Sequence, residues 1–195
     1  QRVAVMPATL LGLIIGGVVA FRMTRRSLPG PITDGALSSI GWSPATTRDL
    51  LLAAVVGAAI AFLYLFGLVP ASPPSSTQHW GPLTTAATSG GWPRHLWAVV
   101  VLLAAPPVEE FVFRGVLLAG IRQSWTPTAA GAAVTLVFVL LHFGEIAGYW
   151  PAIVGLTLLG AATVIARIVT GSLAPAVALH ASYNLGLVVV LYATG

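Results

Sequence analysis

The chain has 195 residues, of which 57% are hydrophobic and only 7% charged. Soluble domains carry about 25% charged residues, so this chain cannot clothe a water-facing surface, and the missing polar surface must face lipid. No cysteine is present, which excludes disulfides, thiolate chemistry and Cys-ligated metals. The net charge of +4 and the pI near 10.4 come from arginines near helix ends rather than from a basic run, so no nucleic-acid partner is expected.

A membrane-spanning helix needs about 20 mainly apolar residues. Six stretches qualify: about Val3 to Phe21, Leu50 to Val69, Leu96 to Ile121, Thr128 to Tyr149, Ala152 to Val169 and Leu173 to Ala193. The apolar runs are continuous rather than alternating, which argues against a β-barrel. The predicted fold is therefore all-α, a polytopic membrane bundle of about six helices. Residue 1 is Gln rather than Met, so a preceding stretch is expected. All nine basic residues are arginines in a chain rich in Ala, Gly and Pro, a bias expected of a bacterial genome, and the expected location is the inner (plasma) membrane, with multiple passes.

With alternating spans, Arg22, Arg25, Arg26, Arg48, Arg122 and Arg167 fall on one side of the bilayer, which the positive-inside rule makes cytoplasmic. Only Arg2 and Arg94 fall on the other. Trp80, Trp92, Trp97, Trp125 and Trp150 lie near predicted helix ends, as an interfacial aromatic belt requires. The 70–95 loop is rich in Pro, Ser, Thr and Gly and reads as irregular, a candidate lid over the outer face. The short connections 122–127 and 168–172 leave the cytoplasmic side more open.

The third stretch carries Glu109-Glu110-Phe111-Val112-Phe113-Arg114 at its middle. Charges at that depth cost about 2.5–3.5 kcal/mol each on insertion scales. Glu110 and Arg114 are spaced i,i+4, share a face and can neutralise each other. Glu109 keeps no such partner in its own helix, and a buried carboxylate left over from an ion pair is a general-base candidate. Pro106-Pro107 just upstream should kink the helix and free backbone carbonyls. His142 follows Phe138 by one turn in the fourth stretch, and His180 precedes Asn184 by one turn in the sixth. At about 1.5 Å per residue, Glu109 and His142 both lie about 20 Å from the cytoplasmic end. His180 matches that depth only if the last helix begins inside the membrane, which Gly171, Ser172 and Pro175 permit. Each residue alone has a bland reading as interhelical glue. The set, on three helices, points to a site. Glu145 and the loop histidines His79 and His95 read as outer-interface residues.

Taken in order, these residues resemble the CPBP family, which includes the type II CAAX prenyl proteases. Its pattern of EExxxR, FxxxH and HxxxN on successive helices reads here as Glu109 to Arg114, Phe138 to His142 and His180 to Asn184. Gly115 and the segment Gly171 to Ala176 add to the likeness. The resemblance covers about residues 95–195, a four-helix catalytic core, and leaves 1–94 as two N-terminal spans with long loops. It implies an intramembrane endopeptidase acting on a membrane-associated protein or peptide. Glu109 would activate a water with His142, and His180 and Asn184 would support the oxyanion or a metal. Glu110, Arg114 and Phe138 would hold the site together. The resemblance leaves the cofactor as none or Zn2+. A zinc ion would take Glu109, His142 and His180, the ligand count of a catalytic site, and the metal-free reading carries slightly more weight. The expected partners are membrane lipid and the substrate. The competing readings are a non-catalytic scaffold attached to other membrane subunits and, with less support because no inverted repeat is seen, a transporter.

Overall fold

The structure, a computed structural model, describes residues 12, 15–18, 22 and 40–194. Most of the first predicted span and most of the 22–49 loop lie outside the described residues. Within them, five helices are long and apolar enough to cross a membrane: α1 (Thr47–Ala71), α3 (Trp92–Ile121), α4 (Pro127–Ile146), α5 (Trp150–Thr170) and α6 (Ala174–Thr194). The bundle is all-helical over the described residues, and the protein is a multi-pass membrane protein.

The helix starts are written in the sequence. Thr46 and Asp49 form a capping box at α1, each side chain bonding the other's backbone N–H. Thr126 caps α4 through the Ala129 N–H, with Pro127 in the first turn. Gly171 ends α5 in the left-handed conformation, its N–H donating to the Arg167 carbonyl.

One core cluster ties the five helices together. Ala53 and Ala61 of α1, Phe113 and Leu118 of α3, Val134 and Phe138 of α4, Leu159 of α5 and Leu179 of α6 all belong to it. Outward faces carry large exposed apolar side chains such as Leu103, Leu141 and Val169, as lipid contact requires.

Helices α1 and α6 approach so closely that a Cβ on Gly57 would collide with the Leu179 carbonyl oxygen. Lipid is as apolar as leucine, so close backbone packing rather than water exclusion holds such pairs together. Gly57→Ala should therefore destabilise the bundle by about 1–3 kcal/mol, read as a lower melting temperature in detergent; an unchanged melt would show that the two helices can slide apart at no cost.

The 70–95 segment is more ordered than its composition predicts. It contains a short helix, α2 (Pro82–Thr88). Pro82 is pre-set for a first helical turn, and the free N–H groups of Leu83 and Thr84 donate to the Glu145 carboxylate at 2.9 and 3.2 Å. That partner comes from the end of α4, so the local sequence could not reveal it. Ala86 and Leu83 then pack on Leu96, Trp97 and Val100 of α3.

Candidate active site

Helix α3 positions the site through two irregularities. Its hydrogen bonding widens to the i→i+5 pattern over Val100–Ala104 and again over Phe111–Leu117. Such π-type turns recur at functional sites. The first has a traceable cause. The Ala105 N–H donates to the Val100 carbonyl, and Pro106, next in that register, has no N–H to offer Val101. The Val101 carbonyl accepts instead from Asn184 Nδ2 of α6 at 2.7 Å. Asn184 thus repairs the gap that the proline pair opens and pins α6 to α3.

Between the two widened turns lie the carboxylates. Glu110 is fully buried, and its Oε1 accepts from Arg114 Nη1 at 3.2 Å. The same oxygen lies 2.8 Å from His180 Nδ1 of α6. Arg114, also fully buried, donates through Nη2 to the Gly160 carbonyl of α5 at 3.1 Å. Its guanidinium carbon sits 4.7 Å from the centroid of the Phe138 ring, a cation–π contact strengthened by the absence of water. Phe138 also stacks on His142, with centroids 4.4 Å apart, and meets the His180 ring edge-on at 6.1 Å. One aromatic ring therefore fixes both imidazoles and the arginine. Gly115 follows because the Ile40 carbonyl passes so near that a Cβ there would lie 3.1 Å from it.

Glu109 faces the other way. Its Oε2 is buried without a hydrogen-bond partner, and the Nε2 atoms of His142 and His180 each lie 3.9 Å from it. The tautomers follow from what the other ring nitrogens touch. His142 Nδ1 is 2.8 Å from the Phe138 carbonyl, which can only accept, so in the neutral ring the proton is on Nδ1. His180 Nδ1 faces the Glu110 carboxylate in the same way. Both Nε2 atoms then turn lone pairs toward Glu109 Oε2. Three acceptors thus surround one spot, on side chains that are 5% exposed for His180, 19% for Glu109 and 29% for His142.

These donors are zinc-like in kind but not in spacing. Tetrahedral bonds of about 2.0–2.1 Å place ligand atoms roughly 3.3–3.4 Å apart, against 3.9 Å here. Among the described residues, no three His, Asp or Glu groups are drawn close enough to hold a metal ion. The donor set suits zinc in kind, and its spacing here is wider than a bound zinc ion would hold it.

The structure thus brings together Glu109, His142 and His180 around one point, and Glu110, Arg114 and Phe138 behind it. Asn184 stands one turn along α6, with one amide N–H committed to Val101. Two contributions were not foreseen from the sequence. Glu110 bridges Arg114 to His180 as well as neutralising the arginine, a contact between residues 70 apart in the chain. Glu145 holds α2 across the opposite end of α4, and its position three residues after His142 at a helix end was the available signal.

A bundle of membrane-crossing helices with an ionisable cluster assembled from three of them defines the chain as a polytopic membrane protein with a polar site within the membrane. Residues 91–186 match the family model described as type II CAAX prenyl endopeptidase Rce1-like. This segment, which contains all three motifs, belongs to the CAAX-protease (CPBP) family. No curated protein and no solved structure matches the chain.

Proposed function

We propose that the chain is an intramembrane endopeptidase that hydrolyses a peptide bond of a membrane-associated protein or peptide, using a water activated by Glu109 and His142. The observation that carries this reading is the unpartnered Glu109 Oε2 with two imidazole lone pairs 3.9 Å away. A water about 2.8 Å from two atoms so spaced subtends an angle of about 90°, within its normal hydrogen-bonding range. One of its O–H bonds points to Glu109 Oε2 and the other to His142 Nε2. Its oxygen attacks the carbonyl carbon, its proton passes to Glu109, and Glu109 returns that proton to the departing amide nitrogen. His180, its ring fixed at Nδ1 by Glu110, lines the other side of the water site. Asn184 keeps the backbone before Pro106 in register. Helix α2, clamped by Glu145, covers the outer end and leaves the arginine-rich end as the approach. The matched segment serves as the catalytic core, and the protein resides in the plasma membrane.

The chemistry is metal-free in this reading. Purified chain in detergent should cleave a membrane-peptide substrate at an unchanged rate after chelation, with metal content well below one ion per chain. Activity lost to chelator and restored only by added zinc would overturn the metal-free mechanism. Absence of any cleavage, with wild-type chain recovered instead in a stoichiometric complex, would favour the scaffold reading.

A further inference from the structure

Outside the catalytic cluster, at the arginine-rich end, lies a cavity of about 340 Å³ lined by Arg114, Leu118, Ala119, Arg122, Gln123 and Arg167. Its volume falls in the range of small-ligand sites, about 300–1,000 Å³. Among the described residues that line it, three of six are arginines and none is acidic. Arg122 and Arg167 carry like charges on its wall. Arg114, fully buried, has an Nε with no hydrogen-bond partner, although its other nitrogens serve Glu110 and Gly160. The carbonyls ending α3 and α5 offset part of this charge, but they cannot complete an orphaned buried donor. Guanidinium groups converging on a cavity at a helix-bundle end are the chemistry of phosphate recognition. On the cytoplasmic side of a membrane protein, such basic pockets take anionic lipid headgroups.

We propose that this cavity binds a phosphate group, with Arg122 as its outer clamp and Arg114 and Arg167 as its inner wall. An anion there would sit directly behind the Arg114–Glu110–His180 chain and would brace it. The phosphate can come from a lipid headgroup or from free phosphate, and the two sources are separable.

The test uses the full chain in detergent micelles and in nanodiscs. Native mass spectrometry would compare retention of phosphatidylglycerol with that of phosphatidylcholine, and melting curves would be taken with each lipid and with inorganic phosphate. Wild type should retain phosphatidylglycerol preferentially and melt higher with it. Arg122→Gln should weaken that binding about tenfold, while Arg48→Gln, at the same end but outside the cavity lining, should leave it unchanged. Stabilisation by inorganic phosphate that Arg122→Gln abolishes, with no lipid preference, would support the site and assign free phosphate as its ligand. Equal losses in the Arg48 and Arg122 variants would reduce the effect to general interfacial charge and overturn the proposal. So would a wild-type chain that prefers neither anionic lipid nor phosphate, a result that needs no variant to fold.

Discussion

A Glu109→Gln chain should fold like the wild type and lose cleavage by about 10²–10⁴-fold, the usual contribution of a positioned general base. The substitution keeps the side chain's shape. It also supplies an N–H donor where two imidazole lone pairs now face a carboxylate oxygen at 3.9 Å, so the glutamine amide can satisfy one of them. The melting temperature should therefore be equal or higher, which separates lost chemistry from lost structure. The measurement is a single-turnover cleavage rate on a membrane-peptide substrate beside a melting curve of the same preparation. A glutamine variant cleaving within threefold of wild type would remove Glu109 from the mechanism. It would leave the phosphate cavity untouched, since Glu109 does not line it.

What the sequence made legible follows from where the determining interactions lie. Helices α1 and α3 to α6 were readable because each is a mainly apolar run whose length is set by the bilayer, and the observed ends fall within a few residues of the expected ones. The pairing of Arg114 with Glu110 was readable because i,i+4 geometry is local. The meeting of Glu109 with His142 and His180 was approachable through depth counting, which fixes height in the membrane but not which helices are neighbours. Helix α2 was missed because its stabilising partner, Glu145, lies 61 residues or more away in the chain. The Asn184–Val101 bond was missed for the same reason. The proline pair announced a break in the hydrogen-bond ladder, but not which side chain would fill it.

Arg114→Ala should be the most destabilising single change in the site, costing about 3–5 kcal/mol, as expected when one member of a buried pair is removed and the other charge is stranded. Three contacts disappear together: the 3.2 Å bond to Glu110, the 3.1 Å bond to the Gly160 carbonyl and the cation–π contact with Phe138. Glu110 would be left with His180 alone, in a helix interior with no water to replace the guanidinium. For a chain of this size the loss corresponds to a melting temperature lower by on the order of 10 °C. Arg114→Lys should recover only part of it, because an ammonium cannot reach Glu110 and Gly160 at once as the planar fork does. The decisive measurement is the double variant. If the damage comes from a stranded charge, adding Glu110→Gln to Arg114→Ala should restore much of the lost stability, even though a second native side chain has been removed. If the double variant melts lower than Arg114→Ala by the full cost of Glu110→Gln alone, the two residues do not act as a pair. In that case the arginine stabilises the bundle only through Gly160 and Phe138.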